Sequence, residues 1–207
     1  MKFFKLNSSI LVIIPFLLFG NTSVSSEVLP PEKVILSAAN DLFLDVEKNK
    51  SLYEEDITVF YERVDNILTP IVDFDVLIKS IIGKKNYQST SDDLKNRFKL
   101  ALKGQLIRIY AKTIIEYSNS KITIIDSTKN KSFYLVKTEL SIGPGKPPFQ
   151  VIYVMKKTDD KWKIVEVVAN GLRLVKSLRK SLLPEIEEKG IEAVISRLES
   201  DSIESES

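Results

Sequence analysis

From residue 30 to 117 apolar side chains recur every three or four positions, whereas from 121 to 168 they recur at every second position or more densely. The first spacing predicts helices and the second predicts strands. Pro30 and Pro31 stand where proline is tolerated at a helix start, and Val34, Ile35, Ala38, Leu42 and Val46 form the first stripe. A second helix is expected from about Leu52, with Ser51 and Glu54 at capping-box spacing and a stripe of Ile57, Phe60, Val64 and Ile67 that stops at Pro70. Asp73 to Ile82 predicts a short helix capped by Asp73 and closed by Gly83. The longest helix is expected from Ser91 to Tyr117 with Thr90 as its cap, roughly 40 Å at 1.5 Å per residue. Leu94, Phe98, Ala101, Leu102 and Ile109 form one of its stripes, and Ile107, Tyr110, Ile114 and Tyr117 a second. Apolar on more than one side, it should be a central wall.

Four strands are predicted at Lys121–Ile125, Ser132–Ile142, Phe149–Lys157 and Trp162–Val168, all rich in β-branched and aromatic residues. Asp126–Asn130 and Asp159-Asp160 suit tight hairpins, and Gly143 to Pro147 a stiffer loop, so the strands should form an antiparallel meander. The class is α+β: a curved four-stranded antiparallel sheet packed with several helices. Val151–Met155 and Ile164–Val168 carry apolar residues on both faces, broken only at Glu166. Both faces therefore need a cover. Helices can cover one. The other is left to further helix or to a hydrophobic ligand in an apolar cavity between sheet and helices. After Asn170-Gly171 a helix is expected from Leu172 to Lys189, broken near Lys180 by Pro184, and a last amphipathic turn or two runs from Ile191 to Leu198.

The two ends are read separately. Lys2 and Lys5, the apolar run Ile10–Phe19, and the small residues Ser23-Val24-Ser25 read as a secretory signal peptide over residues 1–25. The run is too short to span a bilayer. Residues 26–199 are read as one domain and 200–207 as a disordered acidic tail. Removing Lys2 and Lys5 from 30 basic residues leaves 28 against 28 acidic ones, so nothing draws the mature chain to nucleic acid. The sequence has no cysteine and no histidine. That removes a disulfide framework, the commonest general base and the most frequent zinc ligand.

Little catalytic chemistry remains. Tyr110, Tyr117, Tyr134 and Tyr153 read first as core phenols, and Asp73 and Asp75, two positions apart, do not share a helix face. Arg173, Lys176, Arg179 and Lys180 form a basic cluster on a helix, either a solvated face or a docking patch for an acidic partner or lipid phosphates.

A wider pattern carries a resemblance. Pro70, Asp73-Phe74, Ile82-Gly83-Lys84, Tyr87, Arg97-Phe98, Tyr110 and Tyr117 are followed by Trp162 to Val168, then Asn170 to Val175, Arg179 and Gly190 to Ala193. In order and spacing this resembles the MlaC family, also called the toluene-tolerance auxiliary family. The resemblance implies an NTF2-like shape and a periplasmic phospholipid carrier that maintains outer-membrane lipid asymmetry. It also implies two partners, an inner-membrane ABC transporter with an MCE-domain subunit and an outer-membrane lipoprotein complex. The family usually has aspartate where this chain has Glu166, often an acid at Asn170, and a small serine at Arg173.

On that reading the protein is a monomer, not an enzyme, and needs neither cofactor nor metal. The acyl tails are expected against Leu102, Leu106, Ile109, Tyr110 and Ile114 of the long helix, and against Leu135, Val151, Tyr153, Met155 and Ile164 of the strands. Alternation places Val151, Tyr153 and Met155 on one side and Ile152 and Val154 on the other. Two alternatives stay open. An NTF2-like enzyme on a small hydrophobic substrate would need an ionisable group at the pocket floor, with Lys137, Glu139 and Glu166 as the strand candidates; a periplasmic adaptor would have core in place of a pocket.

Overall fold

The computed structural model describes residues 28–141 and 145–204, the last four by backbone only. The expected signal peptide, the Ile142 strand end, part of the stiff loop and the last three residues lie outside them. Four helices, α1 (Pro31–Glu55), α2 (Ile57–Leu68), α3 (Phe74–Ser89) and α4 (Asp92–Glu116), precede the strands β1 (Lys121–Asn130), β2 (Phe133–Ser141), β3 (Phe149–Thr158), β4 (Lys161–Ala169) and β5 (Leu172–Arg173). Two helices follow, α5 (Leu174–Lys189) and α6 (Ile191–Glu204). The sheet is an antiparallel meander in the order β1-β2-β3-β4-β5.

Several boundaries differ from expectation, each for a local reason. The first helix bends at Asn49 and continues to Glu55, and the second is capped by Asp56, whose carboxylate accepts from Thr58 N–H; Ser51 plays no part. Ser91, not Thr90, caps α4, while the Thr90 hydroxyl donates back to the Asn86 carbonyl. Gly83 does interrupt α3, with φ +82, yet a further turn and a half resumes beyond it. The Asp126–Asn130 segment pairs with β2, and the hairpin turn is Lys131-Ser132 instead; a bulge near Ile125 absorbs the extra residue. Asn170-Gly171, with φ of 45 and 83, turns β4 into the two-residue β5, so the sheet has a fifth strand and α5 starts at Leu174. No break appears at Lys180: α5 stays helical through Pro184. The acidic tail begins as the end of α6, which reaches Glu204.

Three clusters make the core. The first half of α4 (Phe98, Leu102) packs with α3 (Ile78, Ile82), α5 (Leu182) and α6 (Ile195, Leu198). Its second half (Ile107, Ala111) packs with α1 and α2 through Val46, Phe60 and Val64. The long helix is therefore a central wall between two helical layers, each fully buried side chain contributing about 1.5–3 kcal/mol. The third cluster joins Ile35 of α1 to Val136, Met155 and Ile164 of the sheet.

Asp73 ties helix to sheet. Its N–H donates to the Ile164 carbonyl at 2.9 Å, and Ile164 N–H donates to the Ile71 carbonyl at 2.7 Å, so Ile71–Asp73 covers part of the β4 edge. The buried carboxylate caps α3 by accepting from Val76 N–H at 3.0 Å and takes the Thr158 hydroxyl at 2.9 Å. Asp75 instead pairs with Lys99 at 3.0 Å. Asp73→Ala should cost about 2 kcal/mol, one helix cap plus one buried bond, seen as a fall of roughly 4–8 °C in Tm.

Candidate functional site

The register of the sheet sorts its side chains into two unlike faces. Tyr134, Met155 and Ile164 form one cross-strand row; Val136, Tyr153 and Val167 the next; Thr138, Val151 and Ala169 the third. Ile122 and Ile124 of β1 lie opposite Leu140 and Thr138 and extend the same face. These three rows contain no charged residue, and the one buried hydroxyl, on Thr138, is spent on the Val151 carbonyl at 3.1 Å. The opposite face carries Lys137, Glu139, Lys156, Lys163 and Glu166 among Leu135, Ile152 and Val154. Lys137, Glu139 and Glu166, the ionisable groups an enzyme reading would draw on, all lie on this second face.

The apolar face is closed at one end and open at the other. Val34 and Ile35 of α1, with Ile71 and Val72, pack on Val136, Met155 and Ile164, which are buried. A bond of 3.0 Å from the Ser127 hydroxyl to the Glu32 carboxylate holds the start of α1 on the sheet. Moving along β3 toward its start, Tyr153 and Val151 are half-buried and Phe149 is 36% exposed. Tyr134 closes the covered end by packing edge-on to Trp162 at 5.4 Å between ring centroids.

Tyr153 sits midway along this wall. Burial pushes its phenol up to about 12, yet part of the residue remains accessible. Tyr53 is also raised to about 12, by burial first and then by its hydrogen bond to Asp45. A spectrophotometric titration should therefore show two late phenols, and Tyr153→Phe should remove one of them. Each neutral phenol supports the fold fully below pH 10, and its contribution is lost only as the pH rises through about 12.

The expected lining residues are dispersed by the fold. Val151, Tyr153, Met155 and Ile164 share the apolar face, as alternation requires. Leu135 pairs with Val154 and points to the other side. Leu102 is fully buried among α3, α5 and α6, Leu106 packs on the same cluster, and Ile114 packs on the α1–α2 side. Ile109 and Tyr110 are 57% and 43% exposed. Val136, Val167, Ile122 and Ile124 were missed in the sequence; the pairing of β2 and β1 with β3 reveals them.

Open concavities lie elsewhere on the surface of the described residues. One, of about 460 Å³, is polar and is lined by Glu116, Tyr117, Lys121 and Lys146 among others. The other, of about 590 Å³, runs along α5 and includes Arg173, Lys176, Arg179 and Lys180. Neither is lined by Val151, Tyr153 or Met155. Within the basic cluster, Arg179 donates to the Ser80 carbonyl at 2.7 Å and packs beside Gly83, so it fastens α5 to the broken α3. Arg173 donates to Glu166 at 3.3 Å, whereas Lys176 and Lys180 are exposed. Among the described residues no helix is long and apolar enough to cross a membrane, and no cluster of acidic side chains is arranged to hold a metal.

Comparison with known proteins places this arrangement. A phospholipid-binding protein from Ralstonia solanacearum, solved in complex with a phospholipid, superposes with a TM-score of 0.77 over 86% of this chain and 100% of that one, at 16% identity. The toluene tolerance protein ttg2D of Pseudomonas putida is 27% identical over 77% of this chain and 74% of its own length. The intermembrane phospholipid transport system binding protein MlaC of Haemophilus influenzae is 25% identical over 82% of this chain and 80% of its own. The MlaC protein family model matches residues 37–200, most of the 207, and the chain belongs to the MlaC family.

Proposed function

We propose that this protein is a phospholipid carrier that holds acyl tails against the apolar face of its sheet and moves lipid between the outer and inner membranes of a Gram-negative envelope. The observation that carries this is the charge-free face formed by the three cross-strand rows, covered at the Met155 end and open at the Phe149 end. Two acyl chains hold on the order of 30 methylenes, whose exposure to water would cost roughly 25 kcal/mol at about 0.8 each. Only an enclosing apolar site, an expanded form of this wall, makes transit nearly thermoneutral. The family and the phospholipid-bound structural relative support the same reading.

Residues 1–25 export the chain, residues 26–199 are the lipid-binding domain, and the mature monomer works in the periplasm. It exchanges lipid with an inner-membrane ABC transporter bearing an MCE-domain subunit and with an outer-membrane lipoprotein complex, maintaining outer-membrane asymmetry. No step requires bond-making chemistry, since the wall offers a tail only dispersion and burial. Fluorescent phospholipid moving from donor to acceptor vesicles tests the carrier role. Transfer should rise in proportion to added protein; a rate independent of protein would overturn it.

A further inference from the structure

The edge of the sheet at β5 presents a leucine that the domain leaves uncovered. Leu172 pairs with Ala169, and Ala169 with Val151, so Leu172 continues the third row of the apolar wall to the sheet's edge. There it is 65% exposed, more than any other large hydrophobic residue described. The Asn170-Gly171 turn, with both residues at positive φ, holds it out at the wall's open end. Behind it lies the groove of about 590 Å³ along α5, which Leu183 and Pro184 also line.

The charges of that groove are unevenly satisfied. Arg173 and Arg179 are engaged by Glu166 and by the Ser80 carbonyl. Lys176 and Lys180, one helical turn apart on the exposed side of α5, have neither an ion pair nor a hydrogen bond with any described residue, and Glu187 is the single acid lining the groove. An exposed leucine beside two uncompensated ammonium groups matches the headgroup region of a bilayer, where apolar carbon lies just beneath phosphate.

We propose that the β5–α5 edge docks the protein on an anionic phospholipid surface, Leu172 entering the interface and Lys176 and Lys180 meeting lipid phosphates. This rests on the carrier reading, because docking there brings the open end of the wall to the bilayer from which a tail would enter. Flotation with vesicles of phosphatidylglycerol and phosphatidylethanolamine, against vesicles of phosphatidylcholine, tests it on the full mature chain. The parent should float with the anionic vesicles only, and high salt should release it. K176Q/K180Q should weaken binding roughly 25-fold, about five-fold per lysine, and L172D should weaken it further. K176Q/K180Q should keep the parent's lipid content by native mass spectrometry, since both lysines lie on α5 and outside the apolar face of the sheet. A parent that does not bind anionic vesicles, as expected if the groove serves an acidic protein, overturns the proposal, and so do variants that bind like the parent. Lipid content reports on the carrier reading alone, so either idea can fail without the other.

Discussion

Val151→Arg is expected to strip the protein of phospholipid and leave it folded. Val151 lies in the row Thr138–Val151–Ala169, half-buried near the open end of the apolar face. A guanidinium there can reach water through the open end, so the cost to folding stays modest. For an acyl tail the same group replaces apolar wall with a hydrated cation, and the tail must leave part of its length in water at about 0.8 kcal/mol per methylene. Three methylenes forfeited already cost more than a factor of ten, so bound lipid should fall at least ten-fold. Leu135→Arg is the matched control. Leu135 pairs with Val154 on the opposite face, and its substitution should leave lipid content at the parent's level. Equal lipid in the Val151 variant and the parent would remove this face from the site.

The largest stability loss is expected at Glu166. Helix α5 has no side-chain cap of its own, since Arg173 occupies that position; the Glu166 carboxylate reaches over from β4 and accepts the Val175 N–H at 2.8 Å. It also accepts its neighbour Val167 N–H at 3.1 Å and Arg173 Nε at 3.3 Å. Glu166→Ala leaves a buried N–H without a partner and removes a negative charge from a helix N-terminus, together about 3 kcal/mol. Chemical denaturation should report that loss, and Tm should fall by roughly 6–12 °C. Glu166→Gln keeps an acceptor oxygen and should lose about half as much. The partner matters less: Arg173 is 57% exposed, so Arg173→Ser should change stability by less than about 1 kcal/mol. An alanine variant within about 0.5 kcal/mol of the parent would show that α5 is held by packing alone.

Glu166 and Arg173 act together at the start of α5. The two side chains are neighbours in space, 3.3 Å apart. The carboxylate spans from β4 to the helix start, and the arginine takes its second oxygen.

The sequence made the α+β class and the meander legible because helical and alternating periods do not overlap, and Asp159-Asp160 marks its turn by type. Its errors fall where two local signals compete. Ser51 and Asp56 both offer caps, and only Asp56 follows a backbone that has left the helix. Leu135 parts from the face of Val151 and Tyr153 because β2 is apolar at both parities, Phe133 and Leu135 against Tyr134 and Val136. The long β2–β3 loop gives no register to choose between them, and only the pairing with Met155 and Tyr153 does. The α4 positions part from the sheet for a different reason. Apolar on more than one side, α4 serves two cores, so Leu102 and Ile114 pack in the helical layers and not on the sheet.

The face holding Val151, Tyr153 and Met155 is expected to enclose phospholipid. Native mass spectrometry of the gently purified mature protein, with organic extraction of the same sample, tests it most directly. An adduct of phospholipid mass is expected at near one-to-one occupancy, lost in Val151→Arg and kept in Leu135→Arg. A bare polypeptide mass with no extractable phospholipid, in protein never exposed to detergent, would contradict it.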